Sequence, residues 1–151
     1  TIVGHQGVIL EYIPALHPIR LMIDAGTRFE LHCTAPGKAL LAFLPERERE
    51  EILQKMDFPK HQPNTISSLK AFRAALDRVR ACGYAVDRSE SKIPGIYCVS
   101  APVFDRREYP VAALTVTAPS VRVTEKDLPR LAEMTLPRAA NISRRLGYGL
   151  V

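Results

Sequence analysis

The run His32–Leu44, HCTAPGKALLAFL, constrains the fold more than any other stretch of this chain. Thr34 is a good helix N-cap, and Pro36 falls in the first turn, where the amide it lacks has no intrahelical partner to lose. Pro45 ends the helix after Leu44, and Leu40, Leu41 and Leu44 supply its buried face. The small residues Ala35 and Gly37 leave the first turn bare. That end can present backbone N–H groups and the positive end of the helix dipole to a carboxylate. The same residues also suit a purely structural part, with Thr34 as cap, Gly37 relieving a close contact and Lys38 in solvent.

Around this helix the chain alternates strand-like and helical patterns. Gly7–Ile13 has the pattern of a strand, Thr1–Val3 of the tail of another, and Ile19–Ile23 of a short strand before the Asp24-Ala25-Gly26 turn. Glu46–Met56 is expected as a charged second helix and Asp57–Ile66 as a loop. From Ser67 onward Leu69, Phe72, Leu76 and Val79 recur at helical spacing until Gly83 supplies the stop. Tyr84–Arg88 then turns extended.

Ile96–Phe104 and Val111–Thr117 outline a hairpin through Asp105-Arg106-Arg107-Glu108. A symmetric loop pairs Cys98 with Thr115 and Ser100 with Ala113, and gives one face Cys98, Ser100, Ala113, Thr115 and Thr117. Thr124 caps a last helix running to Leu146, which Pro129 and Pro137 are expected to bend or split. The sum is a mixed α/β (α+β) domain spanning 1–151, an antiparallel β-sheet with flanking helices.

Composition narrows the function. A chain of 151 residues, 46% hydrophobic and 25% charged, has room for one substantial core. Its longest apolar run, Ala39–Leu44, is far short of the roughly 20 residues that span a bilayer. No N-terminal segment resembles a signal peptide, so the expectation is a cytoplasmic protein with no membrane partner. Cys33, Cys82 and Cys98 lack C-x-x-C spacing and are read as free thiols. The charge of +5 is spread among acidic residues rather than gathered into a stripe, which disfavours direct nucleic-acid contact. The chain opens directly on a strand pattern, as a fragment of a longer protein would.

The hairpin face is the second informative feature, because a thiol and hydroxyls stand where a face packed for stability alone would carry Val, Ile or Leu. Small hydrogen-bonding groups leave room for a guest, although buried Thr and Cys are also ordinary core residues. An enzymatic reading makes Cys98 a thiol nucleophile with His32 as base and Asp87 as orienting group, but no spacing supports it. Gly37-Lys38 is not a phosphate-binding loop, since His32 and Ala39 occupy positions that need Gly and Ser or Thr. Metal binding by His17, His32, Cys33 and Cys98 likewise finds no supporting spacing, so neither metal nor cofactor is expected.

Taken together, HCTAPGKALLAFLP, GYAVDRSE, PGIYCVSAPVFD, AALTVTAP and AANISRRLG resemble, in order, the effector-binding domain of the IclR family of bacterial transcriptional regulators. The resemblance implies a GAF-like effector-sensing domain that is not an enzyme and binds a small carboxylate. It implies a homodimer or homotetramer that reaches DNA only through an N-terminal winged helix-turn-helix and linker helix absent from this sequence. Carried over by motif, the effector-binding positions are Ala35, Pro36 and Gly37 in the loop-to-helix turn, then Asp87, Cys98, Thr115 and Thr117, with Leu21 and Ile96 as apolar wall. Three departures bear on this, the first being Thr at 115 and 117 where Ser is frequent, whose methyl groups narrow the expected pocket. The segment between Asp87 and Cys98 is one residue longer than the family's pattern, and Pro36 removes one possible N–H donor.

Overall fold

The computed structural model describes residues 1–149. Two three-stranded antiparallel sheets and four helices form the mixed α+β domain that the sequence pattern implies. Strands β1 (Ile2–Val3), β2 (Gln6–Val8) and β3 (Arg28–Phe29) make the small first sheet. Helices α1 (Ala35–Phe43), α2 (Glu46–Leu53) and α3 (Leu69–Cys82) follow. Strands β4 (Ala85–Arg88), β5 (Ile96–Phe104) and β6 (Pro110–Pro119) form the second sheet, and α4 (Leu128–Arg145) closes the chain.

Local chemistry explains the helix ends. The Thr34 hydroxyl accepts the Gly37 N–H at 3.3 Å and caps α1. Ser68 does the same for Ala71 at the start of α3, and Gly83 ends that helix in the left-handed region at φ 82°. Helix α1 lies between the second sheet and α3, so it is buried on nearly every side rather than along one leucine face. Ala35, Ala39, Leu41 and Ala42 join Leu76, Val79, Ala85, Ile96 and Cys98 in the main core. Each large side chain in that core contributes about 1.5–3 kcal/mol of burial.

The opposite face of the second sheet packs on α4. Val99 meets Leu128, Leu131 and Ala132, while Ala101 and Val103 meet Ala139. Pro129 sits in the first turn of α4, where it costs nothing, after a 3-10 turn at Glu125–Asp127. Pro137 lies inside α4 without splitting it. Both Pro137 and Glu133, whose carbonyl loses its partner to the ring, are exposed, so that carbonyl is not shut away from solvent.

Two further expectations are corrected. Gly7–Ile13 is paired as a strand only as far as Val8, and Ile19–Ile23 forms no strand, because beyond the bonds that close Ile9 onto Gly26 and Thr27 that segment has no sheet partner. Leu10, Ile13, Leu16, Ile19 and Met22 are consequently exposed. In the hairpin, Cys98 opposes Thr117 and Ser100 opposes Thr115, two residues further along β6 than a symmetric loop gives. The loop holds five residues, closed by the Asp105 N–H on the Tyr109 carbonyl, and a bulge beside Val103 adds one more on β6. An even slip keeps every side chain on its expected face.

Candidate functional site

Strand register builds the site. Asp87, Cys98 and Thr117 form one row across β4, β5 and β6, and Ala85, Ser100 and Thr115 form the next row on the same face. Ile96 stands beside Cys98 on that face and opposes Pro119. Asp87 is 2% exposed, Cys98 7% and Ser100 0%. The Cys98 sulfur lies 3.4 Å from the Thr117 hydroxyl, and the Ser100 and Thr115 hydroxyls are 2.8 Å apart. A row of small polar groups thus meets the apolar side of α1.

The first turn of α1 carries Ala35 and Gly37, both buried, and Pro36, half-buried. Gly37 is required there, since a Cβ would stand 2.3 Å from the Leu31 carbonyl oxygen, which the fixed backbone cannot yield. Pro36 has no N–H and Gly37 gives its own to Thr34, so Thr34 and Ala35 hold the remaining first-turn amides. The anion-binding capacity of this helix end is therefore narrower than the sequence suggests. Leu21 is half-buried and packs against the main core, its carbonyl accepting from the Tyr12 hydroxyl.

Lys38 and Glu90 complete the polar cluster. Lys38, expected in solvent, is 3% exposed, and its Nζ lies 2.5 Å from Glu90 Oε2. The Glu90 N–H donates to Asp87 Oδ1 at 2.7 Å, and the Thr65 hydroxyl donates to the Glu90 carbonyl at 2.5 Å. Burial pushes the Asp87 carboxyl up to about 6, against the help of that N–H and of Lys38. A cavity of about 210 Å³ opens beside the ion pair, with Val79, Tyr84, Val86 and Arg88 also in its wall. None of the nine residues assigned from the sequence lines it. Glu90 was within sight, as the last residue of the GYAVDRSE block, but its partner lies 52 residues away.

The thiol triad does not assemble. His32 bonds the Pro59 carbonyl, Asp87 accepts from Glu90, and Cys98 faces Thr117. Burial, reinforced by the Asp87 charge, pushes the Cys98 thiol up to about 12, the opposite of what a nucleophile needs. Of the four metal-ligand candidates weighed from the sequence, His32 and Cys33 are brought together, beside Glu30 and His61. His17 lies in the exposed segment before β3.

Residues 1–144 match the model of the bacterial transcriptional regulator IclR C-terminal domain. This chain belongs to the IclR family. It is 35% identical over 141 residues to the transcriptional regulator KdgR of Dickeya chrysanthemi, covering 93% of this chain and 46% of the relative. The IclR of Thermotoga maritima superposes with a TM-score of 0.89 at 35% identity, over 97% of this chain and 59% of that one. The inducer-binding domain of an Acinetobacter PobR double mutant, solved in complex with 3-hydroxybenzoic acid, gives a TM-score of 0.69 at 28% identity, over 78% and 67%. The chain spans about half the length of the curated relatives it matches. Those relatives are named as transcriptional regulators and repressors, not as enzymes. None of its described helices is long and apolar enough to cross a membrane.

Proposed function

We propose that this domain senses a small organic acid in the cytoplasm and passes that information to DNA-binding domains through a homo-oligomer. The observation that carries the reading is the pair of polar rows, Asp87–Cys98–Thr117 and Ser100–Thr115, on the sheet that packs against α1. Ala35, Pro36 and Gly37 form the roof, and Leu21 and Ile96 are the apolar wall. The PobR inducer-binding domain, solved with 3-hydroxybenzoic acid, supports an organic acid as the effector class. Binding shifts the oligomer between two arrangements by its difference in affinity for them, and DNA is met only through a separate N-terminal domain.

Thermal unfolding of the chain against a panel of small carboxylates tests this. A true effector at 100 times its dissociation constant adds about 2.7 kcal/mol of stability. Stabilisation by one chemical class, abolished in a folded Cys98→Trp variant, is the expected outcome. An unchanged shift in that variant places the site elsewhere.

A further inference from the structure

We propose that Glu30, His32, Cys33 and His61 form a four-ligand site for a divalent metal ion of the zinc type. One donor atom from each residue lies within 4.8 Å of all the others. Two stretches far apart in sequence meet here. Glu30, His32 and Cys33 come from the loop between β3 and α1, and His61 from the loop between α2 and α3.

The donors converge on one oxygen. From Glu30 Oε2, His61 Nε2 stands at 2.5 Å, Cys33 Sγ at 3.7 Å and His32 Nδ1 at 3.8 Å. Bonds of about 2.0–2.3 Å to a tetrahedral ion place ligand atoms roughly 3.3–3.8 Å apart, so side-chain shifts of about 1 Å bring all four into range. Two imidazoles, a thiolate and a carboxylate are a donor set that zinc accepts and that calcium or magnesium does not favour.

Neighbouring groups prepare the ligands. His32 Nε2 lies 3.0 Å from the Pro59 carbonyl, which can only accept, so Nε2 carries the proton and Nδ1 turns its lone pair to the cluster. Lys92 Nζ holds the other Glu30 oxygen at 2.6 Å and leaves Oε2 for the ion. Glu30 Oε2 accepts from His61 Nε2 and from the Cys33 thiol, so the other donors already gather on the oxygen that the ion would share. A divalent ion takes the place of these hydrogen bonds, with the Cys33 proton released to solvent and the His61 proton carried on Nδ1. Four protein ligands make a closed site, structural or sensory rather than catalytic. Cys33 directly precedes Thr34, the cap of α1, so metal loading fixes the loop that positions the first turn.

Cobalt(II) is the probe, titrated into the chain after dialysis against a chelator, with zinc displacing it. The expected result is one equivalent bound, with a thiolate-to-cobalt charge-transfer band and the strong visible bands of a tetrahedral ion. Cys33→Ser removes the charge-transfer band, whereas Cys82→Ser and Cys98→Ser keep it. His61→Ala, in a half-buried loop position, weakens zinc binding at least about tenfold and abolishes the rise in unfolding temperature that zinc gives the parent chain. Circular dichroism of each metal-free variant establishes that it is folded. A charge-transfer band that survives Cys33→Ser overturns the assignment, as does zinc affinity in folded His61→Ala equal to that of the parent.

Discussion

Cys98 lies directly opposite Thr117, its sulfur 3.4 Å from the Thr117 hydroxyl. This pairing, rather than one with Thr115, fixes which groups share a row with Asp87. It makes a single polar line across three strands, in place of the offset that a symmetric hairpin would give.

Cross-linking distinguishes the two registers. Directly opposed residues on antiparallel strands have Cα atoms about 4.5–5.5 Å apart, within the span of a disulfide. Thr117→Cys is expected to form a bridge to Cys98 on refolding under oxidising conditions, identified by peptide mass spectrometry. Thr115→Cys is not. A bridge to Cys98 formed by the Thr115→Cys variant in preference to the Thr117→Cys variant would restore the symmetric loop.

Asp87 predicts a pH dependence. Its carboxyl titrates near 6 in the fold against 3.8 in an exposed setting, so the folded state holds the proton more tightly. Stability from this group is fully present below about 4 and is lost as pH rises through about 6, by on the order of 2–3 kcal/mol. Asp87→Asn lacks the titration, and its Oδ1 can still accept the Glu90 N–H. Denaturant unfolding should show the variant gaining on the parent between pH 4 and pH 7. A difference that stays constant across that window would mean that Asp87 is not desolvated.

The parts of this fold legible in the sequence are those set by neighbouring residues. Thr34 and Ser68 cap helices that begin at the next residue, and Gly83 ends α3 as a left-handed glycine must. The faces of the hairpin were legible too, since alternation survives an even slip. The register was not, because the bulge beside Val103 and the five-residue closure at Asp105–Tyr109 depend on pairing geometry. Gly7–Ile13 and Ile19–Ile23 carry strand-like patterns, yet a strand needs a partner along its length. For the site, residue types and faces could be inferred, but the burial of Lys38 could not. A lysine suggests solvent until its carboxylate appears from 52 residues away.

That buried pair yields the last prediction. Lys38 and Glu90 side chains are 4% and 6% exposed, and Glu90 also takes the Arg88 N–H at 3.3 Å. Lys38→Met fills a similar volume but strands a carboxylate in the interior, which costs about 3–5 kcal/mol. Adding Glu90→Gln removes the stranded charge and keeps an oxygen for the Arg88 N–H. The double variant should therefore recover most of the loss, and a double-mutant cycle should give a coupling energy well above the roughly 0.5 kcal/mol of independent sites. Urea unfolding measures both. Additive losses would show that the two charges are each solvated, and that the pair is not the polar anchor that ties α1 to the turn after β4.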